Sequence, residues 1–115
     1  MSRSLNEILL VGNLGKPPEM SATKKGTVVA RFSVATNRRW KDENGERQEV
    51  TEWHNVVCFG ALAEIVEGMA RTGSRVLVKG DMRYGSYEKE GHTFRTAQVH
   101  ASEVIFLDPP MSRSA

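Results

Sequence analysis

Cysteine is nearly absent. Cys58 is the one example in 115 residues, which excludes an intramolecular disulfide framework and a cysteine-rich metal site. A reducing compartment suits such a chain. Long apolar runs are missing too: nothing approaches the roughly 20 apolar residues of a membrane span, and no charged leader with an apolar run behind it opens the sequence. A soluble, cytoplasmic protein with no membrane partner is expected. Length leaves room for one core and for no separate catalytic domain. Aromatics are scarce, at 7% of residues, so where they fall carries information.

Charge of one sign is also lacking, since the formal net is only +2. Its distribution is uneven, however. Residues 1–41 hold eight Lys or Arg against Glu7 and Glu19, whereas residues 42–115 hold eight against twelve acids. The basic half is the electrostatic candidate.

The stretch from Thr51 to Gly60 concentrates what is present. Alternation puts Trp53, Asn55, Val57 and Phe59 on one face of an extended strand and His54, Val56 and Cys58 on the other. Trp40 lies upstream among Arg38, Arg39 and Lys41. Flat rings beside cations are what a nucleic-acid strand needs, rings for its bases and charge for its phosphates.

Other elements follow from periodicity. Leu5 to Leu14 reads as a strand bent at Gly12-Asn13-Leu14-Gly15, and Lys16-Pro17-Pro18 stops it. Thr27 to Asn37 alternates clearly. Arg38 to Val50, centred on Asn44-Gly45, reads as a projecting hairpin leading to the Thr51–Gly60 strand. Helical spacing of Leu62, Ile65, Val66 and Met69 predicts one short helix, with Gly73 as the glycine beyond its end. Ser74 to Arg83 is a fourth strand, Tyr84 to Thr93 a second hairpin turning near Lys89-Glu90-Gly91, and Phe94 to Phe106 the fifth strand. Asp108-Pro109-Pro110 ends regular structure, leaving a domain over 1–108 and a short flexible tail over 109–115. An all-β chain of five strands with one helix between the third and fourth is the plan of the OB-fold, a Greek-key barrel; an SH3-like barrel does not place a helix there.

These residues, in this order, resemble the bacterial and mitochondrial single-stranded DNA-binding proteins. The resemblance runs through Asn6-Glu7-Ile8-Leu9-Leu10-Val11-Gly12-Asn13-Leu14-Gly15, Pro18-Glu19, Val29-Ala30-Arg31-Phe32-Ser33-Val34-Ala35-Thr36 and Trp40. It continues through Thr51-Glu52-Trp53-His54, Phe59-Gly60, Leu62-Ala63-Glu64, Gly73-Ser74 and Val78-Lys79-Gly80-Asp81-Met82-Arg83, covering about residues 5 to 107. It implies a non-enzymatic, cofactor-free, nucleoid-associated protein that coats and protects single-stranded DNA during replication, repair or recombination. Base-stacking aromatics then fall on Trp40, Trp53 and Phe59, with Tyr87 at a position where tryptophan is usual. Candidate phosphate contacts are Arg38, Arg39, Lys41, Lys79, Arg83 and Arg95, with Arg3 and Lys16 behind them. A homotetramer is implied, with His54 and the Asn6, Ile8 and Leu10 stretch of the first strand at subunit interfaces.

One departure is visible. The family commonly ends in a Gly-, Pro- and Gln-rich linker with an acidic tip that recruits other DNA-metabolism proteins, and Asp108 to Ala115 contain neither. Recruitment through a tail is therefore not expected of these residues, which fit either a piece of a longer protein or a tail-less relative.

Competing readings are an OB-fold interaction module, such as a primosomal accessory protein with weak DNA binding, and an OB-fold nuclease. Three ring platforms argue against the module, and scattered acids argue against a nuclease metal site. His54 and Cys58 share a strand face but stand about 13 Å apart, too far for a catalytic pair. His92 and His100 add no metal-ligand spacing, and Gly12 to Gly15 lead into prolines rather than into a phosphate-binding helix.

Overall fold

A computed structural model describes residues 3–107; the expected tail at 109–115 lies outside them. The elements are β1 (Ile8–Leu14), β2 (Glu19–Ala22), β3 (Val28–Lys41), β4 (Arg47–Phe59), α1 (Ala61–Met69), β5 (Arg75–Lys89) and β6 (His92–Phe106). Five of these strands close into a barrel in the order β1-β5-β6-β4-β3, with β3 returning to β1. The expected fold class is therefore found, with its helix between the third and fourth barrel strands. The short β2 is not expected from the sequence. Glu19-Met20-Ser21-Ala22 alternates over four residues only, too few to identify a strand after Pro17-Pro18, and it becomes one because the free edge of β3 pairs with it from Val28 to Arg31.

Closure depends on the bend expected in the first strand. β1 pairs with β5 from Ile8 to Asn13 and turns onto β3 through Asn13 and Leu14. Gly12 makes the turn possible, because a Cβ there would stand 2.2 Å from the carbonyl oxygen of Ala35. A second close approach occurs at Gly80, beside a bulge in the β5–β6 ladder, where a Cβ would stand 2.0 Å from the His100 oxygen.

Alternate residues of these strands fill the interior. Leu10, Leu14, Phe32, Val34, Val56, Cys58, Val76, Val78 and Val99 are buried together, and α1 closes one side with Ala63 and Val66. Burial of each such aliphatic side chain contributes about 1.5–3 kcal/mol before chain entropy is counted.

The helix differs from its expected form. Its inner face is Leu62, Ala63 and Val66 with Ala70 just beyond, whereas Ile65 and Met69 face outward. It stops at Ala70, whose extended backbone ends the turn, and Gly73 with φ 86° belongs to the loop that follows.

In the first strand Leu10 is 8% exposed and Ile8 packs against the same core, so these two side chains point into the barrel. Leu9 and Val11 are the outward pair. Asn6 is engaged within the chain, where its side-chain amide donates to the Met82 carbonyl at 2.7 Å and accepts from the Met82 N–H at 3.0 Å, extending the β1–β5 ladder by a side chain. The other edge of Ile8–Gly12 has no strand partner among the described residues.

Candidate nucleic-acid interface

Because Val56 and Cys58 point into the barrel, alternation turns Trp53, Asn55, Val57 and Phe59 outward. Val57 is nonetheless covered, while Trp53 is 57% and Phe59 43% exposed. Leaving two large rings in water forfeits hydrophobic stabilisation, so their exposure calls for a partner. The Trp53 indole rests on the backbone of Gly15. Phe59 meets the His100 ring at 5.7 Å with a 39° tilt.

Two arms rise from this surface. β4 and β6 run parallel and pair only at Val56–Val57 against Val99–His100. Past that point the β3–β4 and β5–β6 hairpins separate. The cleft between them has a volume of about 720 Å³; Trp53, Asn55 and Val56 line one side, Arg95 to Gln98 the other, and Gly15 to Pro17, the carboxylate-bearing Glu19 and Arg31 to Ser33 the rest.

Trp40 is not on this wall. It pairs with Gln48 while Trp53 pairs with Ala35, so alternation puts Trp40 on the ribbon face that carries Phe32 and Val34 nearer the barrel. A separate hollow of about 520 Å³ lies toward the outer end of this hairpin, bounded by Arg39, Trp40, Lys41, Arg47, Gln48 and Glu49. The Arg38 guanidinium lies 4.8 Å from the Trp40 ring centre and covers part of it. At the hairpin tip, the Asp42 carboxylate accepts from the N–H groups of Asn44 and Glu46 at 2.9 Å and from the Gln48 amide at 3.1 Å. These bonds, that from Glu46 foremost, hold its pKa below the ordinary carboxylate value.

Tyr87, on the other arm, stacks on Phe94 with ring centres 5.3 Å apart. Sequence reasoning misses Phe94. The signal is there, because a two-residue turn at Glu90-Gly91, both with positive φ, sets Tyr87 directly opposite Phe94. His100 and Gln98 are missed as well, since only the parallel β4–β6 pairing brings β6 beside β4, and so are Asn55 and Arg31, polar residues of β4 and β3 beside the ring.

Apart from Arg38, which lies on Trp40, the expected cations are spread over the surface. Lys16 and Arg95 reach the cleft, and Arg39 and Lys41 border the second hollow. Arg39 is engaged with Glu49 at 2.6 Å and Arg83 with Asp81 at 2.7 Å. Lys79 lies between Leu9 and Glu103 on the β1 side of the sheet, and neither it nor Arg3 lines either hollow.

His54 is partly buried and shares a hydrogen bond with the Thr36 hydroxyl at 2.8 Å. Burial pushes the Cys58 thiol up to about 11. Among the described residues no group of His, Cys, Asp and Glu is placed to hold a metal, and no helix is long and apolar enough to cross a membrane.

A profile of the Single-strand binding protein family matches residues 5–107. The chain belongs to this family. A single-stranded DNA-binding protein of Xanthomonas axonopodis pv. citri is 47% identical over 108 residues, covering 93% of this chain and 60% of the relative. Its counterpart in Xanthomonas campestris pv. campestris is also 47% identical over 108 residues, with 93% and 63% covered. The present chain thus spans about three fifths of these two relatives. Among solved single-strand binding proteins, that of Plasmodium falciparum in complex with ssDNA superposes with a TM-score of 0.88 at 30% identity, over 94% of this chain and 99% of that one. A deletion mutant of the Thermus aquaticus protein gives 0.81 at 30% identity, over 94% and 53%. In this family member the barrel therefore carries its exposed rings on two arms and the outer face between them.

Proposed function

We propose that this protein binds single-stranded DNA without regard to base sequence, coating and protecting it during replication, repair or recombination. The observation that carries the reading is the outward exposure of Trp53 and Phe59 beside a cleft bordered by Lys16, Arg31 and Arg95. Every base has a π-face, so rings accept any sequence, at about 1–3 kcal/mol per stacked base. Cations meet the phosphates and release counterions, which makes the affinity fall with salt.

Trp40, Trp53, Phe59 and Tyr87 are the stacking residues in this reading. Arg38, Lys41, Lys16 and Arg95, which have no ion pair among the described residues, meet phosphate in this reading, and Arg39 and Arg83 join when they leave their carboxylates. The protein acts as a binder rather than as an enzyme, through one domain over residues 1–108, and is nucleoid-associated. Assembly into a homotetramer is supported by the unpartnered edge of Ile8–Gly12 and the outward Leu9 and Val11. It would place several barrels within reach of one strand and raise avidity without new kinds of contact.

Titration of tryptophan fluorescence with a single-stranded oligonucleotide at two salt concentrations tests this, with duplex DNA as control. Quenching by single strands, weaker at high salt, is the expected result. No quenching or shift with any single strand would overturn the reading.

A further inference from the structure

From Arg83 through the turn to Ala97 the β5–β6 arm is exposed almost throughout, so no core lies beneath it. Two rings sit there as a directly opposed pair. Tyr87 and Phe94 are stacked with their planes 21° apart and their centres 5.3 Å apart. Each covers one face of the other, yet Tyr87 remains 53% and Phe94 44% exposed. His92 meets Phe94 edge-on at 6.5 Å, at 63° between planes. A stack of two rings therefore ends in two outer faces, one belonging to each residue.

A cross-strand aromatic pair also steadies a hairpin, and that alone would account for the contact between the rings. It does not account for the 44% of Phe94 left exposed, nor for its place on the strand face shared with Thr96 and Gln98, which line the cleft beside Trp53. We infer that Phe94 is itself a base-contacting residue, so that the arm holds two unpaired bases of a strand, one against each outer face of the Tyr87–Phe94 stack. The inference rests on the single-strand reading above and adds a site to it. A strand leaving Trp53 passes Arg95, places one base on Phe94, and continues around the arm to Tyr87.

The test replaces Phe94 by leucine, which keeps an apolar contact for Tyr87 and removes the π-face. Phe94→Leu is compared in the wild-type and the Tyr87→Leu backgrounds, titrating thymidine oligonucleotides at one fixed salt concentration and checking the fold by circular dichroism. Phe94→Leu is expected to weaken binding roughly five-fold or more in both backgrounds. No change, or a loss that disappears once Tyr87 is gone, would show that Phe94 only props its neighbour and overturn the assignment.

A second measurement is photo-crosslinking to an oligonucleotide carrying 5-iodouracil. Trypsin cuts after Lys89 and Arg95 and so separates Tyr87 from Phe94. An adduct on the Phe94 peptide supports the site, and adducts elsewhere with none on that peptide overturn it. Wild-type protein that fails to bind any single strand would sink the underlying reading, an outcome distinct from loss of the Phe94 contribution alone.

Discussion

Gly15 lies directly beneath the indole of Trp53, so close that a Cβ at Gly15 would stand 2.7 Å from Cζ3 of the ring. The conflict is with the far end of an exposed side chain, so it is relieved by turning the ring rather than by moving backbone. Gly15→Ala is therefore expected to leave stability almost unchanged while tilting Trp53, shifting its emission and weakening single-strand binding. Gly12→Ala meets the Ala35 carbonyl instead and should cost at least about 1–3 kcal/mol in a urea melt. Equal effects of the two substitutions on stability would refute this division.

Glu49 holds Arg39 at 2.6 Å on an exposed strand surface. Such a pair adds little to stability. It does compete with phosphate for the guanidinium. Glu49→Gln should tighten single-strand binding and steepen its salt dependence, by about 0.7 in log–log slope for one recovered contact. An unchanged slope would mean that Arg39 points away from the strand.

His100 is held below its ordinary pKa of 6.5 by burial and by Arg83, with Asp81 pulling the other way. A base depressed in the folded state takes up fewer protons than in the unfolded one, so it detracts from stability as pH falls below 6.5 and not above. Proton NMR titration should find the His100 midpoint under that value. Asp81→Asn should lower it further, and Arg83→Gln should raise it. Shifts in the reverse sense would contradict the geometry.

Cys58 is fully buried among Val56, Val34 and Ala63, and its thiol is pushed up to about 11. The thiolate is the reactive form. Native protein should thus resist an aromatic disulfide reagent at neutral pH and react stoichiometrically in denaturant. Prompt labelling of folded protein would show that the barrel opens beside α1.

How much of this is legible in the sequence depends on whether one face of an element is buried. Thr27 to Asn37 reads clearly because Phe32 and Val34 alternate against Arg31 and Ser33, and the structure buries the first pair. Ile8-Leu9-Leu10-Val11 is apolar throughout, so nothing in the run says that Ile8 and Leu10 go inward and Leu9 and Val11 outward; pairing with β5 decides it. Ile65 and Met69 mislead in the same way. The face occupied by Trp40 depends on the hairpin register, which Asp42 sets by binding two N–H groups across the tip. The Trp53 stretch is readable as a set of rings, but the cleft beside it is not. It arises from a parallel pairing between strands far apart in the sequence.

The Asn6–Met82 bonds join residues 76 positions apart, whereas each long hairpin pairs residues that are near neighbours through a tight turn. Loop closure over such a span is entropically slow to achieve, and local zippering is not. The connectivity predicts an order of folding in which the two arms that carry the rings form early and the pairing of the first strand with β5 comes last. Substitutions at Asn6 should then speed unfolding while leaving the refolding rate nearly untouched in a stopped-flow chevron. The parts of the chain that meet a ligand would on this account exist before the vessel that holds them has closed.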